Sequence, residues 1–227
     1  MRPAGESRVL AAEALGTFTM VFAGTGAIVI DQVSGGRITH VGIALVFGLV
    51  VMAMIQTFGD VSGAHMNPAV TLAFRAAGRI GSRTAAGYIA AQLAGALAAS
   101  GLLRLLFPED VFLGGTQPAG SVLQSFVLEV VLSFVLMLVI LAVSTGSKER
   151  GLLAGLTIGG VVTLEALFAG PICGASMNPA RSLAPALVSL HLENAWIYLA
   201  APLVGMLLAL PACRLTGAPD CCTEPCS

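Results

Sequence analysis

Two nine-residue stretches, Ser62–Val70 (SGAHMNPAV) and Gly174–Ser182 (GASMNPARS), share the pattern small-Ala-x-Met-Asn-Pro-Ala. Asparagine is a favoured N-cap, because its side chain can accept hydrogen bonds from backbone N–H groups that lack an intrahelical partner. Proline fixes φ and is tolerated in the first turn of a helix. Each stretch therefore predicts a helix start, one at Asn67 and one at Asn178, 111 residues later.

The apolar run that follows each helix start is short: Ala69–Ala77 in the first copy and Ala180–Val188 in the second. At about 1.5 Å per residue, a helix of roughly ten residues reaches only halfway across a hydrocarbon core of ~30 Å. Two half-helices meeting tip to tip would form one complete span, with their positive dipole ends at the membrane centre. The pattern therefore predicts two re-entrant half-helices.

The composition is that of a membrane protein. The 227 residues are 56% hydrophobic and only 10% charged, with a mean hydropathy of +0.91, whereas soluble domains carry about a quarter charged residues. A formal net charge of −1 and the lack of a polybasic segment argue against a nucleic-acid partner. The three cysteines of the tail CCTEPC lack a histidine and make a poor closed metal site, so we predict no metal.

Six apolar runs are long enough to cross a bilayer, and they predict an all-α membrane protein with six transmembrane helices plus the two half-helices. The connections are short, and Ser147–Gly151 is predicted to be a charged turn. We expect one transmembrane domain over residues 1–227, with a cytoplasmic tail at 216–227. The six runs are Val9–Ile30, Thr39–Phe58, Thr84–Phe107, Ser121–Ser144, Leu152–Ala169 and Asn194–Leu215.

The two halves of the chain, residues 9–107 and 121–215, repeat one another. Each begins with an apolar span that carries a single glutamate, Glu13 or Glu129, and each contains three full spans and one half-span. Because three crossings is an odd number, the second copy must run through the membrane in the opposite sense. This is an inverted repeat, in which the two copies meet near the midplane.

Orientation follows from the basic residues, which concentrate on the cytoplasmic side of membrane proteins. With the N-terminus inside, eight basic residues face the interior and three face the exterior, so we expect both termini in the cytoplasm. Short loops favour a bacterial plasma membrane. The interior set is Arg2, Arg8, Arg75, Arg79, Arg83, Lys148, Arg150 and Arg214; the exterior set is Arg37, Arg104 and Arg181.

Three polar residues are candidates for the lining of an aqueous path. The amides of Asn67 and Asn178 could hold the oxygen of a passing molecule, while two helix N-termini would oppose a cation; alternatively, both asparagines only cap their helices. Arg181 lies three residues after Asn178, and an arginine inside a membrane usually lines an aqueous path. The alternative for Arg181 is that it snorkels to the lipid boundary.

The boxes Asn67-Pro68-Ala69 and Asn178-Pro179-Ala180, the second followed by Arg181, resemble the signature of the aquaporin (major intrinsic protein) family. The resemblance implies an aquaporin-like fold, a homotetramer with one pore per subunit, and no cofactor. It also implies that Glu13 and Glu129 brace the half-helix loops by accepting backbone N–H bonds, although a proton relay is the alternative. His65 resembles a family histidine that shapes the cytoplasmic side of the pore; loop packing alone is its alternative.

Counting from the two boxes, the family pattern places a four-residue selectivity filter at Phe47, Ala166, Ala175 and Arg181. Strict water channels usually have histidine at the second position, so alanine implies a wider and less polar opening. Glycerol facilitators commonly have aspartate where this chain has Ser182. The strings ITHVGIALVFGLVV, GDVSGAHMNPAVTLAF and LFAGPICGASMNPARSL resemble the nodulin-like branch, whose members pass water, glycerol-sized neutral solutes and undissociated metalloid acids such as arsenite and boric acid.

We therefore predict a passive channel for water and small uncharged solutes that excludes ions and protons. The alternatives are a strictly water-selective aquaporin, an ion-coupled secondary transporter and a non-conducting scaffold. An enzyme is disfavoured because no nucleophile–base–acid set can be assembled. A transporter would need a carboxylate on the substrate path, and Glu165 is the only suspect. Since successive helical residues point about 100° apart, we expect Glu165 to face a neighbouring helix if Ala166 faces the pore; a register slip of one residue would instead put its carboxylate beside Arg181.

Overall fold

The computed structural model describes residues 5–144 and 148–216, with the side chains of 148–152 left aside, so most of the predicted tail, including CCTEPC, lies outside the described residues. The described chain is helical, and the predicted arrangement of six spans and two half-helices is confirmed. The eight helices are α1 (Glu6–Val33), α2 (Thr39–Ser62), α3 (Pro68–Ala76), α4 (Ser82–Leu106), α5 (Val122–Val143), α6 (Lys148–Cys173), α7 (Pro179–Ser189) and α8 (Ala195–Thr216).

Several helices extend beyond the apolar runs that predicted them. Helix α1 begins three residues before Val9 and ends three residues after Ile30. Helix α6 begins at Lys148, so the prediction of a turn over Ser147–Gly151 was wrong from Lys148 onwards. Charged residues do not by themselves stop a helix, so the apolar runs predicted the spans but not the full length of the helices.

The two short helices begin as the Asn-Pro pattern predicts. Asn67 has extended backbone, and its Oδ1 accepts a hydrogen bond from the N–H of Ala69 at 2.9 Å. Asn178 Oδ1 accepts from the N–H groups of Ala180 and Arg181, at 3.0 and 3.3 Å. Proline occupies the first turn of both helices, where its missing N–H is not needed.

The packing of the helices repeats in the two halves. Helix α1 packs on α4 and α2, and in the same way α5 packs on α8 and α6. Each half-helix lies against the last span of both repeats: α3 against α4 and α8, and α7 against α8 and α4. The tips of α3 and α7 meet, and α2 crosses α6. The inverted repeat predicted from the sequence is therefore present in the fold.

Helices α2 and α6 cross with their backbones in close approach. Gly48 and Gly159 each stand nineteen residues before the asparagine of their own repeat. A Cβ on Gly48 would collide with the carbonyl oxygen of Gly159 and with Thr163 Oγ1, and a Cβ on Gly159 would collide with the carbonyl oxygen of Gly48. Small residues at such crossings let membrane helices pack directly against each other, and here they hold the two repeats together.

The face at which α1 begins and α8 ends is called the terminal face below, and the other end of the bundle the opposite face. Helix α3 runs from the centre of the bundle toward the terminal face, and α7 runs from the centre toward the opposite face. The six long helices present exposed leucines on their outer surface, such as Leu105, Leu123 and Leu156. So many exposed large apolar side chains are unusual on a soluble protein and suit a lipid environment.

Candidate functional site

The loops that enter the two half-helices have the same unusual backbone. Positive φ angles occur at Gly63, Ala64 and Met66 in the first loop, and at the corresponding glycine, alanine and methionine of the second, Gly174, Ala175 and Met177. Positive φ is uncommon for residues other than glycine. A loop that uses it twice outside glycine needs support from its surroundings.

Glu13 supplies that support for the first loop. Its side chain is fully buried. Oε1 accepts hydrogen bonds from Ser62 Oγ and from the N–H of His65, at 2.7 and 2.9 Å. Oε2 accepts from the N–H of Met66 at 2.8 Å and from Gln92 Nε2 at 2.7 Å. All four donors come from residues that follow α1 in the chain, so the carboxylate ties the first loop and α4 to α1.

Glu129 has the same place in the second repeat. It is also fully buried, and its Oε1 accepts from the N–H of Ser176 at 2.7 Å while Oε2 accepts from the N–H of Met177 at 2.8 Å. In both repeats the carboxylate thus binds the two backbone N–H groups that precede the asparagine. This is the geometry that a bracing role requires, and hydrogen bonds to an ionised acceptor are among the stronger ones.

The two asparagine amides tie the half-helices together crosswise. Asn67 Nδ2 donates to the carbonyl oxygen of Met177, and Asn178 Nδ2 donates to that of Met66, both at 2.8 Å. One of the two amide N–H groups of each asparagine is therefore used inside the protein. The other N–H of Asn67 is left for a molecule in the lumen, whereas Asn178 Nδ2 also donates to Met20 Sδ, at 3.7 Å.

Two cavities lie in line through the bundle. The larger, about 670 Å³, extends from Asp60 and Ser144 near the terminal face to Asn67 and Asn178 at the half-helix tips. The smaller, about 370 Å³, lies toward the opposite face, where His40 is among its lining residues. Both asparagines are thus lumen residues as well as caps.

Of the described residues, four line both cavities, and they are the four positions that the family pattern assigns to the filter. They are Phe47, Ala166, Ala175 and Arg181. These residues, called the neck below, come from α2, α6, the second half-helix loop and α7. Side chains far apart in the sequence therefore meet at the place where one cavity passes into the other.

Arg181 is held in the neck from two directions. Its side chain is 3% exposed, its Nη1 donates to the carbonyl oxygen of Gly114 at 3.0 Å, and its Cζ lies 5.0 Å from the centroid of the Phe47 ring. A cation over an aromatic ring is attracted to its face. Sequence reasoning missed Gly114: the Gly114-Gly115 pair marks a turn, but nothing in the sequence relates that turn to Arg181.

A chain of hydroxyl groups supports the second loop behind the neck. Thr116 Oγ1 donates to Ser182 Oγ at 2.8 Å, Ser182 Oγ is hydrogen-bonded to Ser176 Oγ, and Ser176 Oγ donates to the carbonyl oxygen of Asn178 at 3.0 Å. Ser182 is 2% exposed and lies in the lining of neither cavity. The residue that replaces the aspartate of glycerol facilitators is therefore part of the scaffold.

His65 lines the larger cavity and is also packed in the loop. Its Nδ1 lies 3.1 Å from Thr71 Oγ1, and its ring lies between those of Phe74 and Tyr88, with centroids 4.8 and 5.1 Å away. The two interpretations of His65 drawn from the sequence are thus compatible. The ring is fixed by packing, and part of it faces the lumen.

Glu165 lies off the path, as the helical geometry predicts. It is 2% exposed and belongs to the lining of neither cavity, while Ala166 belongs to both. Within the described parts of the chain, neither carboxyl oxygen of Glu165 has a hydrogen-bond partner. A transporter that used this carboxylate for coupling would need it in the lumen, where the structure does not place it.

The fold and the two aligned cavities define a membrane channel of the inverted-repeat, half-helix class. Residues 2–211 match the family model described as Major intrinsic protein. Aquaporin NIP1-3 of Oryza sativa subsp. japonica is 48% identical over 197 residues, covering 86% of this chain and 68% of that protein. Nodulin-26 of Glycine max is 46% identical over 200 residues, covering 87% of this chain and 73% of that protein.

Among solved structures, the X-ray structure of the aquaglyceroporin from Plasmodium falciparum matches with a TM-score of 0.86 and 25% identity, covering 96% of this chain and 99% of that chain. The protein belongs to the major intrinsic protein family, the family of aquaporin-type channels. The resemblance to the nodulin-like branch is confirmed by the similarity to NIP-type plant aquaporins. These relatives are channels and not enzymes.

Proposed function

We propose that the protein is a passive channel for water and small uncharged solutes, of glycerol size and including undissociated metalloid acids such as arsenite or boric acid. One observation carries the proposal: the neck residues Phe47, Ala166, Ala175 and Arg181 line both cavities. A molecule that moves from one cavity to the other must pass between an aromatic ring, two methyl groups and a guanidinium.

The chemistry of the neck suits a solute with a polar and an apolar side. Arg181 is the only donor side chain in it and can bind the hydroxyl oxygens of a polyol or an undissociated acid. The Phe47 ring and the methyl groups of Ala166 and Ala175 contact the carbon side of the same solute. Alanine at 166 adds neither bulk nor a donor, which favours solutes larger than water.

The same features oppose ions and protons. A cation in the neck would meet the charge of Arg181 and then, at Asn67 and Asn178, the positive ends of two helices, each equivalent to roughly half an elementary charge. The ring and methyl groups offer no oxygen to replace the hydration shell that an ion loses on entering. A neutral solute meets neither barrier.

We further propose that the terminal face is cytoplasmic, that the protein lies in the plasma membrane, and that it forms a homotetramer with one pore per subunit, as the family pattern implies. The two repeats, 9–107 and 121–215, act as a single channel domain. Arg8, Arg75, Arg79, Arg83 and Arg214 support this orientation, because they lie near helix ends at the terminal face. The lipid bilayer and the permeating solutes are the partners that we propose; no cofactor or nucleic acid is part of the mechanism.

Stopped-flow light scattering on proteoliposomes tests this function. Vesicles are exposed in parallel to an osmotic step, a glycerol gradient and an arsenite gradient, with and without ionophores that dissipate ion gradients. We expect water, glycerol and arsenite to enter faster than in empty liposomes, regardless of the ionophores. Rapid water flux with solute entry at the empty-liposome level would favour a strict water channel. Solute entry that needs an ion gradient would favour a transporter, and no flux at all a scaffold.

A further inference from the structure

Phe47 of the neck lies directly against Gly24 of α1. Gly24 is buried, and a Cβ built on it would lie 2.5 Å from Phe47 Cδ1 and 2.6 Å from Cζ, with Cε1 closer still. Side-chain carbons do not approach each other so closely in folded proteins, because packing at van der Waals distance leaves no room for overlap. The ring of Phe47 occupies the space that any other residue at position 24 would fill.

If a side chain at position 24 displaced the Phe47 ring, the direction of that movement would determine whether the neck becomes narrower. Gly24 belongs to the lining of neither cavity, whereas Phe47 belongs to both. A methyl group on Gly24 would push the ring away from α1, toward the lumen and toward Arg181, whose Cζ lies 5.0 Å from the ring centroid. A change behind the wall would thereby narrow the neck without altering a lining residue.

The second repeat lacks this arrangement. Gly24 stands eleven residues after Glu13, and the residue eleven after Glu129 is Ile140. Phe47 stands twenty residues before Asn67, and the corresponding residue of the second repeat is Ile158. Ile140 and Ile158 both line the larger cavity. The glycine therefore occurs in the repeat in which an aromatic ring must be accommodated.

We propose that Gly24 is a specificity-determining residue of this channel: by carrying no side chain, it seats the Phe47 ring against α1 and so sets the width of the neck. The inference rests on the proposed function, because it takes the neck to be the place where solutes are selected.

The test compares Gly24→Ala with Gly26→Ala, measuring glycerol and water permeability in proteoliposomes. Gly26 is a matched control, since it is buried in the same helix, but a Cβ on it would meet only Leu103 Cδ2, at an ordinary 3.4 Å. Gly24→Ala should lower the ratio of glycerol to water permeability by roughly threefold or more, as expected from overpacking, while Gly26→Ala leaves it unchanged. Equal ratios in the two variants would overturn the inference.

A double substitution separates this inference from the proposed function. In the Phe47→Leu background the ring is absent, so adding Gly24→Ala should no longer change the permeability ratio. If Gly24→Ala has the same effect in both backgrounds, it acts elsewhere and the inference is wrong. If Phe47→Leu alone leaves the ratio as in the wild type, the ring does not limit solute passage and the inference fails, whereas the proposed function fails only if the wild-type protein admits solutes no faster than empty liposomes.

The inference can also be tested if Gly24→Ala proves too unstable to reconstitute. The melting temperature of the detergent-solubilised protein is then compared for Gly24→Ala with and without Phe47→Leu. Recovery of stability in the double variant would support the contact between the glycine and the ring. Absence of recovery would overturn it.

Discussion

The two ends of the lumen differ, although the chain builds both with the same backbone. Each neck residue has a counterpart at the same distance from the asparagine of the other repeat. All four counterparts line the larger cavity, on the terminal side of the half-helix tips. The counterparts of Phe47, Ala166, Ala175 and Arg181 are Ile158, Ile55, Ala64 and Val70, in that order.

This comparison teaches that side chains, and not the fold, make the two ends of the lumen different. At the neck, Arg181 stands where the first repeat has Val70, and the ring of Phe47 stands where the second repeat has Ile158. These two larger side chains narrow the lumen there. Alanine in place of Ile55 then opens space for a solute beside them. The terminal half keeps four aliphatic counterparts in the lining of the larger cavity, of about 670 Å³.

The largest effect on permeation should come from replacing Arg181 by valine, the residue at the counterpart position in the first repeat. Arg181→Val removes the charge and the donors, so glycerol should pass faster, and cation leak should rise by more than about tenfold. A unit charge at 4 Å contributes about 4 kcal/mol at an effective dielectric constant of 20, and each 1.4 kcal/mol changes a rate about tenfold.

Cation leak is measured with an ion-sensitive dye inside proteoliposomes, and glycerol entry by light scattering. Val70→Ala is the control in the terminal half and should change neither rate appreciably. Unchanged cation and glycerol passage in Arg181→Val would show that this end of the lumen is not the selective one.

A smaller effect, on the melting temperature, should distinguish substitutions at the two buried carboxylates, Glu13 and Glu129. In Glu13→Gln an NH₂ group replaces an oxygen that accepts two hydrogen bonds, whereas in Glu129→Gln it replaces an oxygen that accepts one backbone N–H. A buried group left without a partner costs about 1–3 kcal/mol. Glu13→Gln should therefore lower the melting temperature in detergent more than Glu129→Gln does. Equal losses would mean that the two loops are supported alike.

The smallest effect is expected at Glu165, which belongs to neither end of the lumen. Glu165→Gln should leave water and glycerol permeability unchanged, since the side chain lies in the lining of neither cavity. The same osmotic and glycerol steps measure it, in vesicles of matched protein content. Loss of solute flux in this variant would point to a coupling carboxylate and revive the transporter alternative.

Much of the fold could be predicted from the sequence, because the deciding signals are local. A cap and a proline determine where each half-helix begins, and apolar length determines a span. The neck positions followed from the resemblance to the aquaporin family, whose pattern places them by counting from the two Asn-Pro boxes. The structure brings Phe47, Ala166, Ala175 and Arg181 together at one place.

The remaining contacts could not be predicted, because they join distant backbone atoms to side chains. The carbonyl oxygen of Gly114 binds Arg181 across 67 residues, and the asparagine amides bind carbonyl oxygens 110 and 112 residues away. Such contacts leave no periodicity or composition in the sequence. The contact between Gly24 and the Phe47 ring could not be predicted either, because a single glycine in a helical sequence does not indicate which side chain packs against it.

The most direct test of the account is a matched pair of histidine substitutions, Ala166→His in the neck and Ile55→His at its counterpart. The ratio of glycerol to water permeability is measured by stopped-flow light scattering in vesicles of equal protein content. Ala166→His should lower the ratio by roughly tenfold, the effect of about 1.4 kcal/mol on a barrier, and Ile55→His should leave it close to the wild-type value. Equal ratios in the two variants, or a greater fall with Ile55→His, would contradict the claim that the neck selects the solute.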